Sequence, residues 1–211
     1  MTVLLINGSP NKEGCTYTAL LEVGKILNYE GIDTEIFWIG NKPIGGCIAC
    51  KKCEKLGQCV FDDIVNAFRQ KAYEAAGFVF GTPVHYASAS GNMTAFMDRL
   101  FYSETKGNAN KAFRMKPAAN VISARRAGTT ATFDQMNKYL TISEMPVVSA
   151  RYWNMVHGAK PEEVLEDTEG LGTMRELGRN MAYLLHCQEA GRNAGVLPPV
   201  HEAKVFTNFI R

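Results

Sequence analysis

Four of the six cysteines of this 211-residue chain fall within "CIACKKCEKLGQC", at Cys47, Cys50, Cys53 and Cys59. Thiols set so close together can ligate a metal, exchange disulfides or pack as small apolar groups. Lys51, Lys52 and Lys55 lie among them and should lower their pKa values. The spacing leaves four readings open: an iron–sulfur cluster, unligated packing thiols, a disulfide switch and zinc. Zinc accepts four thiolates, though usually from two separated pairs. Cys187 stands apart, next to His186 in a helical segment, and reads as a core residue.

A second stretch suits phosphate. "NGSPNKEGCTYTAL", Asn7 to Leu20, joins an apolar run to a segment of helical period. Its small residues let the backbone approach an anion, and hydroxyls and free helix-start amides can then hold it. A Walker A loop is excluded because five residues separate Gly8 from Gly14 and Cys15 follows. The G-x-G-x-x-G dinucleotide fingerprint is missing as well.

These loops need elements to position them. Apolar runs at Thr2–Ile6, Asp33–Gly40, Gly77–Gly81, Ala118–Ala124 and Met145–Ala150 read as five strands. Segments of helical period alternate with them, one capped by Asp62 or Asp63 and the last carrying Leu171, Met174, Leu177, Met181 and Leu184 on one face. Strict alternation predicts an α/β doubly wound parallel sheet in three α/β/α layers, flavodoxin-like in its five strands. Residues 1–211 read as one domain with a cysteine loop at 45–60 and a loop-like extension from about 190 to 211 that packs on a second subunit.

Bulk properties narrow the partners. A net charge of +2, with 46 % hydrophobic and 21 % charged residues, gives no reason to expect nucleic acid or a membrane surface. The opening "MTVLLINGSP" reads as a buried strand and not a signal peptide, so a reducing cytoplasmic setting is expected.

"GSPNKEGCT" resembles the phosphate loop G-S-P-R-x-x-G-N-T of the flavodoxin-like NAD(P)H-dependent FMN reductases. The resemblance places Ser9, Asn11, Gly14, Cys15 and Thr16 on the FMN phosphate. Asn11 stands where Arg is frequent and Cys15 where Asn is frequent, with Lys12 able to supply charge. "FGTPVHYASASGNMTAFMDRLF" looks like the family's T-P-V-Y loop, which implies Thr82, Pro83, Val84, His85, Tyr86 and Ser88 along the isoalloxazine edge and ribityl chain. His85 replaces the common Tyr; Asp98 and Arg99 read as an ion pair bracing the following helix. "SARRAGTTATFDQ" is similar to the G-x-R-x-G-G segment, which puts Ser123, Ala124, Arg125, Arg126 and Gly128 over the flavin's other rim. Arg125 or Arg126 would meet reduced flavin or the phosphates of NADPH. Trp153, Asn154 and His157 either cap the site or order a long connection.

The cysteine spacing is similar to that of the iron–sulfur flavoproteins, whose four thiolates hold one [4Fe-4S] cluster. The bacterial ferredoxin run differs in its last spacing and its trailing Pro. Together these resemblances imply an FMN-dependent oxidoreductase that takes electrons from NAD(P)H. The acceptor would be a quinone, flavin, azo or nitro compound or metal centre, and the protein a homodimer or homotetramer. The flavin carries the chemistry, so no catalytic side chain is expected. The alternatives are an iron–sulfur flavoprotein fed by ferredoxin and a flavodoxin-type carrier, although such carriers are typically strongly acidic.

Overall fold

In β1 (Thr2–Asn7), Leu4 and Ile6 join one core while Val3 and Leu5 join another, so both faces of the strand are covered. The computed structural model describes residues 1–203, 205 and 207. It sets β1 between β2 (Asp33–Trp38) and β3 (Gly77–His85), with β5 (Ala118–Ala124) and β6 (Met155–His157) beyond. The parallel order is β2-β1-β3-β5-β6, and the short β4 (Ser88–Ala89) turns back antiparallel on β3.

Seven helices are described: α1 (Cys15–Tyr29), α2 (Cys53–Leu56), α3 (Ile64–Glu74), α4 (Gly91–Asn108), α5 (Thr129–Ile142), α6 (Pro161–Glu166) and α7 (Thr168–Asn193). α3, α4 and α5 bury Phe68, Phe96 and Met136 against Phe78 and Phe80 on one face. On the other face, α1 and α7 bury Leu20, Leu27, Met174 and Leu177. This is the flavodoxin-like α/β/α arrangement, with five parallel strands. Of the two candidate caps, Asp63 starts α3 by accepting from the Val65 amide at 3.1 Å.

Four details differ from expectation. The run Met145–Ala150 is not the fifth strand: Val147 makes one bridge to Ala118, the chain leaves the sheet, and β6 takes that place. Pro146 contributes no ladder N–H, and the Asn180 side chain takes the Ser149 carbonyl at 2.8 Å. Asp98 and Arg99 do not pair, because successive residues on a helix face apart. Asp98 accepts from the Tyr139 hydroxyl, while Arg99 engages Asp63. Cys187 is exposed and not a core residue.

The last departure is the length of the final helix. α7 runs on to Asn193, and the segment after it lies back on its own chain, where Arg114 donates to the Pro199 carbonyl at 2.7 Å. Residues 204, 206 and 208–211 of the expected extension lie outside the described residues. Among the described residues no helix is long and apolar enough to cross a membrane.

Candidate functional site

The chain leaves β1 toward β2 and then returns past β1 to β3, so strand order reverses between β1 and β3. A crevice opens at the carboxyl ends of strands flanking such a point. There the Gly8 amide donates to the Gly81 carbonyl at 2.8 Å. A Cβ on Gly8 would lie 2.8 Å from that oxygen, and one on Gly81 would lie 2.8 Å from Thr16 Cγ2. Only glycine permits both approaches. The wholly buried Asn7 shapes the loop: its Oδ1 accepts from the Ser9 amide at 3.0 Å and its Nδ2 donates to the Lys12 carbonyl at 2.8 Å. Trp38 Nε1 donates to the Ser9 carbonyl at 2.8 Å and ties the loop to the end of β2.

The loop ends at an uncapped helix. Gly14 occupies the N-cap of α1 without a capping side chain, and the Thr18 amide is the first to bond back, to the Gly14 carbonyl. The amides of Cys15, Thr16 and Tyr17 therefore have no acceptor within the helix, and the first turn carries no acid. Free amides at the positive end of a helix dipole form an anion site. Ser9 Oγ accepts from the Asn11 amide at 3.1 Å and keeps its own proton available to donate. Asn11 is exposed, whereas the Thr16 hydroxyl turns inward to Ser123 Oγ at 2.7 Å. Cys15 Sγ donates to the Gly158 carbonyl at 3.5 Å, and burial, with help from Glu163 and Glu162, pushes its thiol pKa up.

The second loop is a tight hairpin. Tyr86 (φ 51°) and Ala87 (φ 58°) both adopt the left-handed conformation, the pattern of a type I′ turn between His85 and Ser88. Thr82 is buried, accepts from the Ser90 amide at 3.2 Å and donates to the Pro83 carbonyl at 3.1 Å. Pro83 and Val84 are half-buried, and His85 and Tyr86 are exposed. Ser88 Oγ donates to Gln135 Oε1 at 2.8 Å, and the same oxygen accepts from the Ala89 amide.

The third loop seats on that hairpin. Ser123 and Ala124 are buried at the end of β5, and Arg125 and Arg126 are exposed without an ion pair among the described residues. Gly128 has φ +95°, and a Cβ there would come within 2.8 Å of Ala87 Cα. The structure thus gathers all three predicted loops at one end of the sheet. Asn7, Trp38, Ser90 and Gln135 hold them there and were not read from the sequence. For Asn7 a signal existed, since an amide closing an apolar strand must find partners when buried.

The cysteine loop sits on α4. Cys47, Cys50, Cys53 and Cys59 line one small cavity of about 20 Å³ together with Arg99, Tyr102 and Ser103. Cys53 is buried and Cys59 half-buried, while Cys47 and Cys50 are exposed. The second half of the loop is firmly held: Asn66 Nδ2 donates to the Cys59 carbonyl at 2.9 Å, and Asn108 Nδ2 donates to the Gly57 carbonyl at 2.6 Å. Burial raises the Cys53 thiol, and neighbouring Cys50, Cys47 and Cys59 raise it further. The lysines expected to lower it are exposed and solvated.

Ala49 (φ 53°) and Lys51 (φ 56°) are left-handed although neither is glycine, at a cost of roughly 1–2 kcal/mol each. Lys52 reverts to right-handed φ, and left- and right-handed neighbours of this kind are the backbone pattern from which anion-binding nests are built. Among the described residues no three His, Cys, Asp or Glu side chains are grouped to hold a single ion. The four thiols share the lining of one cavity without converging on a common point, which does not match the closed tetrahedron of a structural zinc site.

A sheet with an anion cradle at its switch point and two loops closing around it defines a flavodoxin-like cofactor-binding protein. The model of the NADPH-dependent FMN reductases matches residues 1–160, and the chain belongs to that family, an FMN-dependent oxidoreductase. It is 30 % identical over 190 residues to an iron–sulfur flavoprotein of Methanocaldococcus jannaschii, covering 88 % of this chain and 97 % of that one. Among solved structures it resembles RosB with a bound riboflavin-5′-phosphate derivative, with TM-score 0.69, 16 % identity, and 100 % and 94 % of the two chains covered. A flavodoxin from the domain Archaea gives TM-score 0.58 at 13 % identity over 88 % of this chain and 99 % of that one.

Proposed function

We propose that the chain binds FMN at the β1–β3 crevice and passes electrons from NAD(P)H to a small-molecule acceptor. One observation carries this reading: three amides without an acceptor inside the helix at the start of α1, behind a glycine cap, at the point where strand order reverses. Those amides, with Ser9 and Asn11, would hold the phosphate. Thr82, Pro83, Val84, His85, Tyr86 and Ser88 would follow the ring edge and ribityl chain. Ser123, Ala124 and Gly128 would form the opposite rim, leaving Arg125 and Arg126 free to meet the phosphates of a nicotinamide donor. Bound FMN supplies hydride chemistry, so the chain's own task is to bind, orient and tune it. His85, Tyr86, Ala87, Arg125 and Arg126 are all exposed, which suits closure of the site by a second copy in a homodimer or homotetramer.

The shared cavity of the four thiols favours an elaboration of this reading, in which Cys47, Cys50, Cys53 and Cys59 hold a [4Fe-4S] group that adds one-electron chemistry. The two sites share α4: Ser90 at its start donates to the Gly8 carbonyl at 2.9 Å, and Arg99, about 14 Å further along, reaches Cys59.

Anaerobic purification, titration of apoprotein with riboflavin 5′-phosphate and assay of NADPH oxidation with quinone or ferricyanide test the proposal. Tight binding with turnover is expected. An apoprotein that stays colourless and gives no heat refutes it, and flavin-loaded protein that NAD(P)H cannot reduce reassigns the chain as a carrier. Iron below about one atom per chain removes the cluster.

A further inference from the structure

Arg99 is the largest fully buried side chain among the described residues, at 1 % exposure. An interior guanidinium is costly unless every donor is used, and here all five are. Nη1 donates to Asp63 Oδ2 at 2.7 Å and to the Gly45 carbonyl at 3.3 Å. Nη2 donates to Asp63 Oδ1 at 2.8 Å and to the Phe61 carbonyl at 3.2 Å. The fifth donor, Nε–H, has one partner, Cys59 Sγ at 3.2 Å. Phe61 closes over the group, its ring centroid 4.9 Å from the guanidinium carbon. Gly45 precedes the cysteines while Phe61 and Asp63 follow them, so one side chain fastens both ends of the loop and aims an N–H at a sulfur.

Bracing alone does not account for a cation there, because a well-packed apolar residue of similar volume often serves as well or better. We propose that Arg99 is a positioning residue that sets the reduction potential of the iron–sulfur group through Cys59, and that Asp63 partly offsets its charge. This rests on the cluster reading above. A group bound by four thiolates becomes more negative when it takes up an electron, and hydrogen bonds to its sulfurs and nearby charge govern how readily it does so. A fixed cation donating to one of those sulfurs favours the reduced state, and a carboxylate behind it opposes that effect. The two residues should therefore act in opposite directions.

The test measures midpoint potentials by EPR-monitored redox titration of the anaerobically purified holoprotein and of the Arg99→Gln, Arg99→Lys and Asp63→Asn variants. Iron, sulfide and flavin content are checked in each. Asparagine at position 63 keeps the α3 cap. Arg99→Gln should lower the potential by about a tenfold change in electron affinity, or 59 mV for a one-electron couple. Arg99→Lys, keeping the charge without the Nε–H, should fall between it and the wild type, and Asp63→Asn should raise the potential. Intact clusters at unchanged potentials, or shifts of the same sign in Arg99→Gln and Asp63→Asn, overturn the inference. Wild-type protein that carries no iron and sulfide overturns the cluster reading itself and this inference with it. If the Arg99 variants fail to assemble a cluster, Asp63→Asn decides: a raised potential supports the inference and an unchanged one overturns it.

Discussion

Thr16 and Ser123 stand 107 residues apart in sequence, yet their hydroxyl oxygens lie 2.7 Å from each other where the start of α1 meets the end of β5. Both side chains are buried, so neither has water to fall back on. Ser123→Ala should cost about 1–3 kcal/mol of apoprotein stability by orphaning the Thr16 hydroxyl. Adding Thr16→Val should cost less than the sum of the two single changes, because the partners act as a pair. Urea unfolding of the four proteins checks this, and strict additivity would show that the hydroxyls do not depend on each other. FMN affinity should fall in Ser123→Ala, since the start of α1 loses its tie to β5.

Gly14 leaves the α1 amides uncapped, and Gly14→Asp would supply a carboxylate to cap them. Its φ of −92° tolerates a side chain, although the new Cβ lies 3.0 Å from that of Asn11. The apoprotein should change by only a few tenths of a kcal/mol. FMN binding should weaken by at least about tenfold, because the carboxylate takes the amides and repels the phosphate. Flavin fluorescence titration measures the affinity. A Gly14→Asp variant that binds FMN as tightly as the wild type would place the phosphate elsewhere.

How far this site could be read from residues alone differs from loop to loop. Uniformly apolar runs such as Val3–Ile6 and Val79–Phe80 are short, buried on both faces and bounded by helical segments, so the parallel sheet was legible. Its edge was not: Met145–Ala150 carries the same apolar signature as a strand, and only tertiary pairing shows the sheet taking up Met155–His157 instead. The first loop was found because small residues and hydroxyls cluster at a strand end, the second and third because they resemble segments of the reductase family. Gln135, which holds the hairpin at Ser88 and Ala89 by two hydrogen bonds, lies inside a helix and leaves no local mark. Arg99 was legible as a charge near an acid, but its partner proved to be Asp63, 36 residues earlier. Helix geometry forbids the adjacent pairing and topology supplies the distant one.

Gly128→Ala should disturb the contact between the second and third loops. The substitution meets a left-handed backbone and a 2.8 Å approach to Ala87 Cα, so strain and clash act together. A loss of about 1–3 kcal/mol and weakened FMN binding are expected. Ala87→Gly, by contrast, relieves a left-handed alanine at φ 58° and should stabilise the protein by about 1 kcal/mol. Thermal unfolding of both variants should show shifts of opposite sign. If both lower Tm, the hairpin conformation is not the strained element inferred here.

Lys116 makes the stability of the fold rise with pH in the alkaline range. Its Nζ donates to the Ala72 and Tyr73 carbonyls at 2.8 and 3.0 Å, in the last turn of α3, and lies 5.7 Å from the centre of the Phe78 ring. Burial lowers its pKa from 10.5 to about 8, against a smaller opposing effect of Glu104. Between about 8 and 10.5 the unfolded chain therefore binds more protons at this site than the folded one, and stability rises with pH through that window. Below the window both states are charged and this residue contributes no further slope. Lys116→Met abolishes the effect while leaving the other thiols, tyrosines and lysines to titrate as before. Urea midpoints measured from about pH 7.5 to about pH 10.5 should show the wild type gaining on the variant as pH rises. Parallel curves would mean that Lys116 keeps an ordinary pKa and holds the α3 carbonyls as a fully charged cap.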